Sequence, residues 1–392
     1  MIILDGRIYA KMDYGYQQIK KNRGFLVELH IADLHFGAMD PEKQYNILME
    51  QFYQPSLQLQ KLDIIAIDGD IFDHRVMSNS DVAMYATKFI DNLVHLAEIK
   101  NATLVIIAGT YSHDYDQLKL FYHYMNLPDV DVRVVTTIKF EEIKGARILC
   151  LPELYGVDES VYDKIFHRSG YYDVAFCHGT FEGAVYGNNV GAGRLLTAND
   201  FDMCKGLVLA GHVHKPGCFE GFYYYCGCPY RWKFGEEEQK GFLLVSQDLD
   251  TERHYVEFKE IFSDVYRTIY LDELVSNDPK ELIDYIDNLK IKEGIDFIKV
   301  RFRTPVSGPA MTVMNNYYRN MNHTFVEFMD AKEVEDERRK KELQETEEKY
   351  NYLLDPSISD FERFVMYVNN SEGEEILTVD KLKELLSDKI DT

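Results

Sequence analysis

The sequence predicts a layered α/β fold, a β-sandwich flanked by helices, followed by a small α+β cap domain and a helical tail. Two observations predict it. From about residue 25 to 260, apolar runs that read as buried strands (FLVELHIA, LDIIAI, TLVIIAG, DVAF, GLVLA) alternate with helical patterns such as 42–62 and 81–99. Most of those runs lead straight into a short polar motif: Asp33-Leu34-His35, Gly69-Asp70, Ser112-His113-Asp114, Cys177-His178-Gly179 and Gly211-His212-Val213-His214. Loops leaving the carboxyl ends of strands in such a sheet converge on one crevice, so residues far apart in the chain are expected to meet there.

The later elements follow in order. VYRTIYL, from Val265, reads as a strand, and Asp278-Pro279 reads as an N-cap and first helical residue. A helix through Asn288 and a second strand, DFIKVRFR, complete a β-α-β unit. The densely charged stretch Ala331–Tyr350 reads as an exposed helix or stalk. In the tail, Ser359 reads as an N-cap, and Phe361, Phe364, Val365 and Val368 fall at i, i+3, i+4 and i+7 on one stripe. Thr378 heads a second helix with Val379, Leu382, Leu385 and Leu386 on one side. Two such helices hold too little material for a core of their own, so they either pack back on the cap domain or dock elsewhere. The expected division is 1–262, 263–328 and 329–392.

Composition agrees with a chain of more than one domain, at 392 residues, 46% apolar and 28% charged. The first twenty residues lack the apolar core of a signal peptide, and no apolar run approaches the roughly 20 residues a membrane helix needs. The six cysteines include no CxxC pair, and Cys226-Gly227-Cys228 is too tight for an easy bridge. Reduced thiols and a cytoplasmic location are therefore expected, in the host cytoplasm if the gene is carried by a phage. The net charge of −23 would repel nucleic acid unless bound ions, a local basic strip or a partner supplies positive charge; otherwise it serves solubility alone. Lys299, Arg301 and Arg303 alternate with Ile298, Val300 and Phe302 along DFIKVRFR, a candidate DNA-phosphate contact whose commoner alternative is a solvated strand face.

The motifs carry a definite chemistry. Carboxylate and imidazole with almost no thiol suit two divalent cations of intermediate hardness. Asp33 and His35 diverge from a strand end toward one cation; His178, His212 and His214 offer further imidazoles. Asp70 follows a glycine that permits a close turn, and its two oxygens can bridge two ions; Asp68 and Asp73 could serve instead or support the ligands. Two ions roughly 3.5–4 Å apart stabilise the attacking and leaving oxygens of an in-line phosphoryl displacement. His113 is the candidate acid for the leaving oxygen, with Asp114 as the group that orients it.

These residues resemble those of the calcineurin-like metallophosphoesterases and, among them, the SbcD-type nucleases of DNA repair and recombination. The narrower resemblance rests on Gly69-Asp70-Ile71-Phe72-Asp73, on Gly211 to Pro216 (GHVHKP), and on Tyr225 to Glu236 (YCGCPYRWKFGE) followed by Lys240-Gly241-Phe242. It implies Asp33, His35 and His214 on one ion, His178 and His212 on the other, Asp70 between them, and His113 assisting the leaving group. It also implies manganese-dependent phosphodiester hydrolysis of DNA, with magnesium, iron or zinc as alternative metals. Where the family has Gly-Asn-His, this chain has Gly109-Thr110-Tyr111-Ser112-His113, a longer loop with Ser112 in the Asn place and a poorer ligand there. The resemblance further implies that the tail helices grip an SMC-like coiled-coil ATPase of the SbcC type, within a heterotetramer built on a homodimer. A stand-alone phosphoesterase for small nucleotides or phosphoproteins, and a non-catalytic scaffold, are the alternatives.

Overall fold

The computed structural model describes all residues except 1, 5–6, 13–14, 19–23, 115, 185–193, 351–358, 373–376 and 383–392. The chain divides into two compact units, Met1–Arg267 with Gly294–Phe297, and Thr268–Glu293 with Ile298–Thr392.

The first unit opens with a small antiparallel sheet of β1 (Ile2–Leu4), β2 (Arg7–Met12) and β3 (Gly15–Gln18). There follow β4 (Phe25–Ile31), α1 (Pro41–Leu48), a π-helical stretch over Met49–Tyr53 that leads into α2 (Gln54–Leu57), and β5 (Ile64–Asp68). The helical pattern thus closes at Leu57 rather than at residue 62. Next come α3 (Asp81–Lys100), β6 (Thr103–Ile107), β7 (Asp131–Val135), β8 (Lys139–Ile143), β9 (Ala146–Leu151) and α4 (Glu159–Arg168). The remainder is β10 (Val174–His178), β11 (Val208–Gly211), β12 (Gly217–Phe219), β13 (Tyr223–Tyr225), β14 (Gly241–Asp248) and β15 (His254–Glu260).

Two six-stranded sheets make the sandwich, in the orders β15-β14-β4-β5-β6-β7 and β12-β13-β11-β10-β9-β8. In the first, β4 to β7 run parallel; in the second, β9, β10, β11 and β13 do. The unbroken apolar runs are explained by burial on both faces. In β5, Ile64 and Ala66 pack between the sheets with Val105, Ile148, Phe176 and Leu209. Ile65 and Ile67 point the other way, onto Phe89, Ile90 and Leu93 of α3. On the far side, Ala175 and Cys177 of β10 meet Tyr162 and Phe166 of α4. α3 is bounded by its own chemistry: the Ser80 side chain accepts from Ala83 N, and Asn101 closes the helix at φ 50°.

One polar cluster lies between the sheets. His30 Nδ1 is 2.8 Å from Asp68 Oδ2 and its Nε2 is 3.2 Å from Glu28 Oε2, while Gln247 Nε2 donates to Glu28. His30, Glu28 and Asp68 are fully buried. Burial pulls the imidazole pKa down, but the two carboxylates outweigh it and hold it up at about 9.

The later elements are β16 (Tyr266–Leu271), α5 (Pro279–Glu293), β17 (Phe297–Phe302), α6 (Gly308–Tyr318), β18 (Thr324–Phe328), α7 (Ala331–Tyr350) and α8 (Asp360–Glu372). The strands form a sheet in the order β16-β17-β18. Ile298, Val300 and Phe302 are buried, and Tyr318 of α6 bonds Asp287 of α5 at 3.1 Å. The opposite face of β17 differs from a bare basic strip. Lys299 and Arg301 pair with Glu327 of β18 at 3.2 and 2.6 Å, Arg301 and Arg303 both reach Glu337 of α7, and Arg303 lies 3.9 Å from the centre of the Tyr270 ring. Cations so paired are neutralised within their own domain.

In the tail, Ser359 and Glu362 cap α8 reciprocally, Ser359 Oγ accepting from Glu362 N and Glu362 accepting from Ser359 N. The expected apolar stripe divides: Phe364 is 51% exposed and Val365 only 8%, while Val368 is half-buried. The side chain of Phe361, and Leu385 and Leu386, lie outside the described residues. The six thiols are unbridged. Among the described residues no helix is long and apolar enough to cross a membrane.

Candidate metal centre

Every motif residue enters from the carboxyl end of a parallel strand. Asp33 and His35 follow β4, Asp70 follows β5, and Thr110 to Asp114 follow β6. From the second sheet, His178 ends β10, while His212 and His214 follow β11. The strands stop being regular at the site itself. Asp33, His35, Asp70 and His212 all have positive φ, at 52°, 42°, 54° and 96°. Such conformations cost about 1–3 kcal/mol each and persist only where the surroundings enforce them.

The enforcing contacts are specific. His212 N donates to both Asp33 oxygens, at 3.0 and 3.1 Å. Gln44 Nε2 donates to the His35 carbonyl and to Tyr230 Oη, each at 2.9 Å, and Tyr230 in turn donates to the Leu34 carbonyl. Gly69, at φ 93°, is required twice over, since a Cβ there would lie 2.1 Å from His178 Nδ1 and 2.8 Å from Gly109 Cα.

Asp114 has a different task from the one its sequence suggests. Its carboxylate accepts from the backbone N–H groups of Asp70 (3.0 Å), Ile71 (3.0 Å), Phe72 (3.4 Å) and Gly109 (2.8 Å). It therefore ties the β6 loop to the Asp70 turn. Burial, and then the charge of Asp70, push its carboxyl up to about 7. The ring of His113 is held instead by the Asp73 carbonyl, a close partner of Nδ1, which leaves Nε2 for chemistry.

The donors form two adjoining groups. Ligand atoms of Asp33, His35 and His214 lie within 4.8 Å of one another, and so do those of Asp70, His178 and His212. Asp70 Oδ2 stands between them, 3.8 Å from His35 Nε2 and 3.3 Å from His178 Nε2. His113 groups with His35 and Asp70 on one side.

The donor set fits two cations. His178 Nδ1 donates to the Asp68 carbonyl at 2.7 Å and His214 Nδ1 to Glu236 at 3.0 Å, so in each ring Nε2 is the nitrogen turned to the centre. His35 Nε2 and His214 Nε2 face each other at 3.1 Å. One of the two can donate to the other, and both are placed to serve one cation. The field has the same sign: burial lowers the His178 pKa, but Asp70, Asp33 and Glu153 overcome it and raise it to about 10. Asp70 is held well below the ordinary carboxylate range, burial opposing and His178, His35 and His113 prevailing.

Residues 29–216 match the family model described as calcineurin-like phosphoesterase. This region belongs to that family. It is a metal-dependent phosphoesterase domain with a centre suited to two divalent ions. No curated protein matches the chain.

The phosphoesterase centre contains groups that sequence reasoning missed. Ser112 is exposed in the turn over 111–114. Thr110 is the residue that faces the second group, with Oγ1 3.1 Å from Asp70 Oδ2 and 3.4 Å from His178 Nε2. The signal was its place directly after Gly109; counting back from His113 across two extra residues points to Ser112 instead. Glu153 follows β9 by two residues, and its Oε2 lies 3.3 Å from His212 Nδ1. Nothing in Leu151-Pro152-Glu153 marks it unless β9 is known to lie beside β10. Trp232 packs 5.2 and 5.1 Å from the rings of His35 and His214.

Proposed function

We propose that this phosphoesterase is a manganese-dependent DNA phosphodiesterase of the SbcD type that works with an SMC-like ATPase. What carries the reading is that the run from Tyr225 to Glu236, one of the three stretches on which the narrower resemblance rests, supplies the support of the centre. Tyr230 fixes the loop before His35, Trp232 packs on two ligand rings, and Glu236 holds His214. Asp33, His35 and His214 would hold one ion and His178 and His212 the other, with Asp70 shared. When bound, the ions would supply Lewis-acid charge to the phosphoryl oxygens and would lower the pKa of the attacking water.

The remaining work belongs to the chain. Asp114 and Gly69 fix the Asp70 turn, so the Asp70 carboxylate is held where it would meet the ions. His113, with Nδ1 held by the Asp73 carbonyl, can carry a proton on Nε2 and deliver it to the leaving oxygen. Trp232 excludes water from one side of the His35 and His214 rings.

A second reading, a phosphoesterase for small substrates, gains from the ion-paired state of Lys299, Arg301 and Arg303. One experiment separates them. With manganese, the purified protein should digest linear DNA and hydrolyse bis(p-nitrophenyl) phosphate, and His113→Ala should slow both by about 10²–10⁴-fold with metal binding retained. Hydrolysis of p-nitrophenyl phosphate or nucleoside monophosphates without any action on DNA selects the second reading.

A further inference from the structure

The second group of donors holds more oxygen than Asp70 alone. Glu153 Oε2 lies 3.3 Å from His212 Nδ1, 3.9 Å from His178 Nε2 and 3.1 Å from Thr110 Oγ1. The same Thr110 Oγ1 lies 3.1 Å from Asp70 Oδ2 and 3.4 Å from His178 Nε2. Glu153 is buried, at 8% exposure, and its other oxygen, Oε1, accepts from Tyr155 Oη at 2.9 Å. The carboxylate is thus oriented, with one oxygen committed outward and one turned into the cluster.

A count of hydrogens decides what the cluster needs. The Thr110 hydroxyl has a single hydrogen, so it can donate to Asp70 or to Glu153 but not to both. His178 has given its Nδ1 hydrogen to the Asp68 carbonyl. Two carboxylate oxygens, a hydroxyl oxygen and the His178 and His212 nitrogens therefore converge, with the Thr110 hydroxyl able to serve only one of the carboxylates. Two buried carboxylate oxygens turned onto the same imidazole nitrogens are donors that a cation among them would satisfy.

We infer that Glu153 is a ligand of the second metal ion, and that Thr110 is the spacer that sets the Glu153 and Asp70 oxygens at their separation. The hydroxyl of Thr110 is a poor ligand, and the anionic oxygen from β9 takes the place that an amide carbonyl at the β6 loop would otherwise fill. With Glu153 included, the centre offers three carboxylates, Asp33, Asp70 and Glu153, against four positive charges on two divalent ions. The net charge that remains is smaller, and the second ion is held by one more full charge. The inference is independent of which phosphate ester the enzyme cleaves.

The test is manganese binding by the full chain, followed through the electron paramagnetic resonance signal of free Mn²⁺. Wild type should take up two ions. Glu153→Ala should retain one and bind the second at least ten-fold more weakly, and adding Thr110→Asn to that variant should restore it. A carboxylate that only oriented His212 could not be replaced from position 110. A second ion that is unweakened in Glu153→Ala, or weakened but not restored by Thr110→Asn, overturns the inference. If the Ala variant does not fold, the anomalous map of wild-type crystals grown with manganese decides. Oε2 at about 2.0–2.2 Å from an ion supports a ligand, and a water between them overturns it.

Discussion

At the scale of single residues, the centre spends backbone strain to gain convergence. Four of its donors stand at positive φ, and specific contacts hold three of them: Gln44 and Tyr230 the His35 loop, Asp114 the Asp70 turn, and Asp33, itself one of the donors, His212. His30 serves the same end from inside the sandwich, because it pairs with the side chain of Asp68, whose carbonyl orients His178. Its raised pKa makes a prediction. A proton bound more tightly in the folded state stabilises the fold fully below the unfolded pKa near 6.5, and that contribution is lost as pH climbs through about 9. The urea midpoint of the manganese-loaded protein should therefore fall between pH 6.5 and 9, by an amount worth on the order of a few kcal/mol. A midpoint flat across that window would mean that the triad with Glu28 and Asp68 is not held together by a charged imidazole.

At the scale of elements, what could be read from sequence and what could not divide along a physical line. Strands buried on both faces, such as β5 and β6, announce themselves as unbroken apolar runs, and the motifs after them follow from the rule that parallel strands present their carboxyl ends together. α3 was equally legible from its helical pattern over 81–99. Contacts set by three-dimensional neighbours were not. Glu153 becomes a site residue only because β9 lies beside β10, and Asp114 faces backbone amides because the β6 loop folds over the Asp70 turn. β17 is the sharpest instance. Its alternation shows which residues share a face, but cannot show that Glu327 arrives on the neighbouring strand and Glu337 on α7. Changing Lys299, Arg301 and Arg303 together to Gln should therefore leave DNA affinity and its salt dependence as in wild type, while lowering the thermal stability of the chain. A weakened affinity with a flatter salt slope would show that the cations leave their carboxylates for phosphate.

At the scale of the whole molecule, the charge of −23 must be reconciled with the polyanionic substrate proposed for it. With the β17 cations paired internally, two divalent ions at the centre and a partner protein are the sources of positive potential that the proposed function calls on. That gives the tail its proposed place, as the segment through which an SMC-like ATPase docks and brings DNA to the centre. α8 offers a clear contrast for testing this, since Phe364 is 51% exposed and the adjacent Val365 is 8% exposed. Phe364→Glu should leave the unfolding midpoint of the isolated chain nearly unchanged, because substitutions at exposed sites usually cost within about 0.5 kcal/mol. It should also leave bis(p-nitrophenyl) phosphate hydrolysis intact. Burial of a Phe side chain at an interface is worth about 1.5–3 kcal/mol, and placing a carboxylate there adds a desolvation cost, so capture of the ATPase should fall by more than ten-fold. Val365→Asp, by contrast, should destabilise the isolated chain. Unfolding by Phe364→Glu, or capture of the ATPase at wild-type affinity, would return the stripe to internal packing and leave the acidic chain without its docking element.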